Sequence, residues 1–206
     1  MWEYEYKALN RGYRQIAGID EAGRGPLAGP VVSAAVILPH NFSCQGLTDS
    51  KKLSEKKRME LFPYIKENAI GVATGVASHM EIDRINILQA SLLSMKRSVE
   101  NLLKTGTSTL PDFLLVDGKF KIAMNIDQSA VVKGDSKSSS IAAASIIAKV
   151  TRDALMKELH QKYPRYNFVQ HKGYPTKAHK EAIFKYGPCP VHRQTFKGVK
   201  EVISGQ

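Results

Sequence analysis

Gln15-Ile16-Ala17-Gly18-Ile19-Asp20-Glu21-Ala22-Gly23-Arg24-Gly25-Pro26-Leu27-Ala28-Gly29-Pro30-Val31-Val32-Ser33-Ala34-Ala35-Val36-Ile37-Leu38 is the stretch that decides the fold. Its two apolar runs, residues 15–20 and 31–38, read as buried strands joined by a Gly/Pro-rich turn. The first strand ends on adjacent carboxylates, Asp20 and Glu21, with Gly18 and Gly23 close by. Neighbouring residues on a regular strand point to opposite faces. Both carboxylates can serve one site only if the backbone leaves strand geometry there, and the two glycines would permit that departure.

Outward from this pair, strands are followed by long helical patterns. Residues 54–68 read as a helix with Ser54 as N-cap and Glu55 in the first turn, and Pro63 is expected to disturb it. Residues 69–77 read as a strand, and 86–104 carry Ile87, Leu88, Leu92, Met95, Val99 and Leu103 as a helical stripe. Residues 113–116 form a short apolar strand ending in Asp117-Gly118; 130–132 form another, ending in Lys133-Gly134-Asp135. The longest helix is expected at 141–163, where Ala142, Ala143, Ala144 and Ser145 would let it lie close to a sheet. This alternation specifies an α/β layered fold. Beyond Tyr163, four prolines punctuate a basic segment with one helix at 176–186. We expect a single domain with a core over 1–163 and a C-terminal, substrate-binding appendage over 164–206.

A chain of 206 residues suits one domain with a sizeable core, and 43% hydrophobic with 24% charged residues is ordinary for a globular protein. No apolar run approaches the roughly 20 residues that span a bilayer. Met1-Trp2-Glu3-Tyr4-Glu5-Tyr6 has neither the basic start nor the apolar stretch of a signal peptide, so no membrane partner is expected. Two cysteines, Cys44 and Cys189, make a disulfide framework unexpected and place the chain in the cytoplasm. Thirty Lys and Arg against nineteen Asp and Glu give +11, which makes a polyanion, nucleic acid first, the natural partner. A generally basic, solvated surface would give the same sum.

In so basic a chain, four acidic groups at strand ends or beside glycine need a reason: Asp20, Glu21, Asp117 and Asp135. Converging carboxylates repel and raise one another's pKa, and a hard divalent cation relieves the repulsion. Mg²⁺ takes oxygen ligands at roughly 2.0–2.1 Å and shares its other positions with water and phosphate. Two such ions, roughly 3.5–4 Å apart, can activate water and stabilise the leaving oxygen in phosphodiester hydrolysis. Taken singly, each residue has a plainer reading: Asp20-Glu21 capping a turn, Asp117-Gly118 as an ordinary turn. Asp83 and Asp153 fall within helical patterns as surface charges.

The segment from Gly18 to Val31 resembles the opening motif of the ribonuclease HII family. The resemblance continues through Asp49-Ser50-Lys51-Lys52-Leu53, Leu115-Val116-Asp117-Gly118 and Lys133-Gly134-Asp135. It resumes at Ile141-Ala142-Ala143-Ala144-Ser145-Ile146-Ile147-Ala148-Lys149-Val150-Thr151-Arg152-Asp153 and ends with His171-Lys172-Gly173-Tyr174-Pro175. One such motif is weak; the ordered set, spanning nearly the whole chain, is specific. It implies a ribonuclease H-like fold, a central mixed sheet flanked by helices with a helical C-terminal part. It implies a four-carboxylate site for Mg²⁺ or Mn²⁺, with Asp20, Glu21 and Asp117 as ligands and Asp135 as the fourth acidic residue. It implies hydrolysis on the 5′ side of a ribonucleotide, leaving a 3′-hydroxyl and a 5′-phosphate. RNA/DNA hybrids and duplex DNA with single embedded ribonucleotides are the implied substrates. The tyrosine matching Tyr174 packs on the sugar that follows the ribonucleotide.

The residues themselves agree with that reading and leave alternatives. Backbone groups of Gly23-Arg24-Gly25 could touch a ribose 2′-hydroxyl and Arg24 a phosphate, where the plain reading is a Gly-Pro turn. An aromatic face such as Tyr174 packs closely on deoxyribose and disfavours an added hydroxyl, whereas most tyrosines simply bury their rings. Lys51, Lys52, Lys56, Lys57 and Arg58 form one basic run and Lys172, Lys177 and Lys180 another; of these, Lys51 is the candidate closest to the acidic site. His171, His179 and His192 form no convincing zinc pattern with Cys189 and read as packing or backbone-binding groups. Ribonuclease HIII carries an added N-terminal domain, for which the residues before Gln15 are too few. A non-catalytic RNA-binding protein would explain the charge but not the acidic groups. The chain is expected to act as a monomer. Residues 202–206 are no clear motif for docking a sliding clamp.

Overall fold

The two apolar runs pair with each other. β1 (Ile16–Ala22) and β2 (Val31–Ile37) are antiparallel neighbours, with Asp20 opposite Ala34 and Glu21 opposite Ser33. The computed structural model describes residues 1–40, 42–104 and 110–205. β3 (Gly71–Ala77) adds antiparallel to β2. β4 (Phe113–Asp117) and β5 (Asp127–Val131) add in parallel beyond β1, giving the order β3-β2-β1-β4-β5. The expected mixed sheet is present, and helices cover both its faces.

The pleat of β2 sorts those helices. Ala34 and Val36 pack against Leu61 and Ile65 of α2 (Glu55–Asn68) and against Ala143, Ala144 and Ile147 of α4 (Ser139–Lys162). Ala35 and Ile37 face the other way, onto Met95, Val99 and Leu102 of α3 (His79–Lys104). Each fully buried Val, Leu, Ile or Met among these contributes roughly 1.5–3 kcal/mol, and each alanine less. Gly18 has a role different from the one its sequence position suggests. A Cβ there would lie 2.1 Å from the carbonyl carbon of Ser140 and 2.3 Å from the nitrogen of Ile141. Gly18 therefore lets α4 press its backbone against β1; it bends nothing.

The start of α4 is held twice. Ser138 caps it by accepting from the Ile141 N–H at 3.2 Å, a bond typically worth about 1 kcal/mol. Buried Glu5, from a short α1 (Glu3–Leu9) that the sequence pattern did not announce, accepts from the Ser138 hydroxyl and from both the N–H and hydroxyl of Ser140. A carboxylate suits the positive end of a helix.

Other expectations change in detail. α2 runs unbroken through Pro63, because Pro63 and Met59, whose carbonyl lacks its usual donor, both face solvent. The stripe from Asn86 is helical, but a first segment from His79 precedes it. Asn86, at φ 65°, breaks the two apart and caps the second by accepting from Leu88 and Gln89 N–H groups. Asp83 is no free surface charge: its carboxylate accepts from the N–H groups of Gln194 and Thr195 and from the Thr195 hydroxyl. Asp153 is buried and paired with Lys149 at 2.8 Å. The C-terminal part contributes α5 (Phe168–His171), α6 (Lys177–Tyr186, with Thr176 as N-cap) and α7 (Lys200–Ser204). Its Tyr166, Phe168, Ile183 and Val199 share one core with Leu27, Ala28 and Met156, so it is packed onto the β1–β2 loop and α4. No described helix is long and apolar enough to cross a membrane.

Candidate active site

β1 continues past its neighbour. Its parallel pairing with β4 ends at Ile19 opposite Val116, whereas its pairing with β2 continues to Ala22 opposite Val32. The expected departure from strand geometry at Asp20-Glu21 is therefore absent. An open strand edge takes its place: the Glu21 N–H, free of any strand on that side, donates to Asp20 Oδ1 at 2.7 Å. Asp117 ends β4 beside it. One carboxylate oxygen from each of Asp20, Glu21 and Asp117 lies within 4.8 Å of the others. Catalytic groups at the C-terminal ends of parallel strands are a general feature of such sheets.

The charges in this group are unfavourable as they stand. Burial raises the Asp20 carboxyl well above the usual carboxylate range, and Glu21 and Asp117 push the same way; bonds from Ser145 and the Glu21 N–H partly offset them. Glu21 is also raised, by burial and then by Asp117, against the pull of Arg24. An all-oxygen donor set under mutual repulsion fits a hard divalent cation of the Mg²⁺ or Mn²⁺ type, and Asp20, Glu21 and Asp117 are the residues that could hold it.

Asp135 stands beside this trio, not within it, among the described residues. It lies in the short turn Gly134–Ser136 after β5. Its carboxyl is raised by burial, then by Asp49 and Asp117, and it hydrogen-bonds Asp49. The same turn orients Asp117, whose Oδ1 accepts from the Gly134 N–H at 2.7 Å. Lys51 is the cation amid these groups: burial lowers its pKa, but Asp20, Asp135, Asp49 and Glu21 together outweigh burial and raise it. Asp49 positions Lys51 by accepting from its N–H, and Ser50 bonds Ser145 of α4. Sequence reasoning quoted Asp49 within a motif without giving it a role; an Asp-Ser pair opening a turn before lysines was the available signal.

Next to the carboxylates lies a cleft of about 220 Å³ whose lining includes Glu21, Gly23, Arg24, Gly25, Lys51 and Tyr174, together with Lys149, to which sequence reasoning assigned no role. The substrate-binding candidates, from segments some 150 residues apart, thus share one hollow. A Cβ on Gly25 would touch the Tyr174 ring at 3.5 Å. Gly23 has φ +106°, and a Cβ there would fall 2.1 Å from Arg152 Nε, so both conformation and space demand glycine. Arg24, half exposed, reaches Glu21 at 3.4 Å.

The basic runs divide. Arg58 donates to the carbonyls of Ser50 and Leu53, bracing the Lys51 turn, and Lys57 pairs with Glu60, whereas Lys52 and Lys56 are exposed. The histidines bind backbone, as expected, and His179 and His192 also bind each other. His179 Nδ1 donates to the Tyr174 carbonyl at 2.9 Å, His192 Nε2 donates to His179 Nε2 at 3.0 Å, and the Cys189 N–H donates to His192 Nδ1 at 2.9 Å. A larger open hollow of about 760 Å³ lies at the opposite, N-terminal ends of β4 and β5. Its acidic lining residues are already engaged, Asp112 by the Arg14 and Gln15 N–H groups and Asp127 by the Tyr13 hydroxyl, so we place the chemistry at the smaller cleft.

Comparison with known proteins agrees. The sequence pattern of the Ribonuclease HII family matches residues 17–199. The chain is 55% identical to "Ribonuclease HII" of Geobacter sulfurreducens over 98% of its own length and 90% of that protein's. Among solved structures it resembles ribonuclease H2 from Pyrococcus horikoshii OT3, with a TM-score of 0.72 and 26% identity over 93% of this chain and 98% of that one. It also resembles RNase HII of Archaeoglobus fulgidus, solved in a complex with PCNA, with a TM-score of 0.71 and 26% identity over 89% and 96% of the two chains. The fold, the ordered motifs and these matches lead to one conclusion: this chain belongs to the ribonuclease HII family, the metal-dependent ribonucleases H.

Proposed function

We propose that the chain is an endoribonuclease that cuts on the 5′ side of a ribonucleotide, in RNA/DNA hybrids and at single ribonucleotides embedded in duplex DNA. The observation that carries this reading is the carboxylate trio, whose Glu21 lines the cleft that joins Gly23-Arg24-Gly25 to Tyr174. Asp20, Glu21 and Asp117 would hold Mg²⁺ or Mn²⁺, with Asp135 as a fourth acidic group beside them. Two such ions, when bound, lower the pKa of the attacking water and neutralise charge on the phosphate and leaving oxygen.

The chain's own residues do the rest. Glu21 and Asp20 are fixed relative to each other by the bond between the Glu21 N–H and Asp20, and Asp117 is fixed by Gly134. Arg24 and Lys51 offer positive charge to the substrate's phosphates at the cleft. Backbone groups of Gly23-Arg24-Gly25 sense the 2′-hydroxyl, and the Tyr174 ring packs on the following sugar and prefers it to be deoxyribose. Water's oxygen bonds to phosphorus while the bond from phosphorus to the 3′-oxygen breaks, leaving a 3′-hydroxyl and a 5′-phosphate. Residues 164–206 serve as the substrate-binding appendage of a single domain. The chain acts as a monomer, its proposed site residues all coming from the one chain, and the free thiols of Cys44 and Cys189 suit the reducing cytoplasm. A clamp partner forms no part of this reading; Gln206, the last residue of the stretch considered for docking, lies outside the described residues. The test is cleavage mapping on a duplex with one embedded ribonucleotide. A single cut on its 5′ side is expected; cutting elsewhere, or equal cutting of all-deoxy duplex, would overturn the assignment.

A further inference from the structure

Arg152 of α4 and Arg193, between α6 and α7, are the largest fully buried side chains, 1% and 0% exposed. Among the described ion pairs, neither guanidinium meets a carboxylate. Taking a cation out of water without a paired carboxylate is costly; burial lowers the pKa of Arg152 to about 10 and of Arg193 to about 9, although Asp153 and Asp83, beyond ion-pair distance, partly offset it. What each holds is backbone. Arg152 donates to the carbonyls of Pro30, Ala28 and Lys172 at 2.9, 3.1 and 3.0 Å. Arg193 donates to those of Gly23, Arg24 and Gly29 at 2.6, 2.9 and 3.0 Å, with a longer bond to Pro30.

The two carbonyls at the cleft matter most. In a trans peptide the C=O and the following N–H point in opposite directions, and this chain has no cis bond among its described residues. Drawing the Gly23 and Arg24 carbonyls toward Arg193 therefore turns the N–H groups of Arg24 and Gly25 away from it. Both residues line the cleft. Among the described hydrogen bonds neither N–H has an acceptor within the chain. Two adjacent amide donors are thus left for something that enters from outside. Arg152 adds the second half of the bracket, tying the carbonyl of Lys172, two residues before Tyr174, to the loop that follows Gly25.

We infer that Arg193, backed by Arg152, is a positioning residue: it presents the Arg24 and Gly25 N–H groups to the substrate's ribonucleotide and fixes their spacing from Tyr174. This rests on the proposed reading of Gly23-Arg24-Gly25 as the ribose-sensing segment. The test is Arg193→Lys, which keeps the charge but cannot span three carbonyls with one planar fork. At saturating enzyme, single-turnover cleavage at an embedded ribonucleotide should fall about tenfold or more, while affinities for Mn²⁺ and for all-deoxy duplex stay within about twofold. Arg193→Met should be worse than Arg193→Lys. Asp83→Ala serves if the buried variants fail to fold. It removes, at the surface, the acceptor that anchors Gln194 and Thr195 beside Arg193, and should give a smaller loss of the same kind, about threefold. Folded variants that cut at the wild-type rate overturn the inference. So does a loss of Mn²⁺ and DNA affinity in step with cleavage, which would mark a merely structural role. Wild-type protein that fails to cut at the ribonucleotide would instead overturn the functional reading and this inference with it.

Discussion

Gly18→Ala measures how closely α4 must sit on β1. The added Cβ would stand 2.1, 2.3 and 2.5 Å from three backbone atoms of Ser140 and Ile141, where ordinary contact begins near 3.4 Å. Relief requires a separation larger by about 1.3 Å (3.4 minus 2.1), and no side-chain rotation supplies it because both partners are backbone. Overpacking a core typically costs about 1–3 kcal/mol, and this rigid contact belongs at or above the top of that range. For a chain of this size about 3 kcal/mol lowers Tm by roughly 6–12 °C. Activity should fall too, because α4 carries Ser145, which bonds Asp20 and Ser50. Gly12→Ala is the control: unlike Gly18 it has a positive φ, 98°, but nothing lies within 4 Å of its Cβ, so only the backbone strain of about 1–2 kcal/mol applies. Thermal unfolding of the three proteins decides. A Gly18→Ala protein that melts no lower than Gly12→Ala would refute the tight-contact reasoning.

Three further outcomes follow. Tyr174→Ala should slow incision at a single embedded ribonucleotide more than cleavage within a long hybrid, because only the former presents the junction sugar; timed assays with equal losses on both would reduce Tyr174 to a general contact. Duplex affinity should fall about a hundredfold between about 50 and 200 mM salt if some four phosphates are engaged, as read from equilibrium titrations, and a flat response would remove the electrostatic contribution. His179 and His192 are held neutral by burial, each with its pKa lowered to about 4. A depressed histidine stabilises the fold fully above its unfolded value near 6.5 and loses that contribution as pH falls toward 4. Unfolding free energies from urea titrations should therefore drop between pH 7 and 5, by on the order of a few kcal/mol for the pair, and the drop should shrink in His192→Phe.

Much of this was legible in the sequence because single residues forced it. The two apolar runs read as buried strands, and Ser54 stands where the helix after it needs an N-cap; the caps Ser138 and Thr176 came only with the structure. Asp20, Glu21 and Asp117 meet as their strand-end positions suggested. How Asp20 and Glu21 meet was not legible, since it depends on the β1–β4 pairing ending at Ile19, one residue before Asp20, a fact of tertiary register. Glycine's chemistry hid another point: Gly18 and Gly23 read alike in sequence, yet one makes room for a helix backbone and the other for Arg152. Asp83 looked like surface charge because its partners, the Gln194 and Thr195 N–H groups, lie over 100 residues away; Asp153 pairs locally with Lys149 at i,i+4 spacing, but its burial depends on tertiary packing. The roles of Arg152 and Arg193 rest on backbone carbonyls of distant segments, which no local pattern reveals. Short α1 was missed for a similar reason, its Glu5 being fixed by serines over 130 residues away.

The central claim is that Asp20, Glu21 and Asp117 form the metal-holding catalytic centre. Asp117→Asn tests it, with Mn²⁺ titrated calorimetrically into each protein and single-turnover cleavage of a duplex carrying one ribonucleotide timed alongside. The variant should keep its fold, bind Mn²⁺ more weakly than wild type, and cleave on the order of a thousandfold more slowly or worse. A folded Asp117→Asn protein with wild-type Mn²⁺ affinity and near-normal turnover would contradict the assignment.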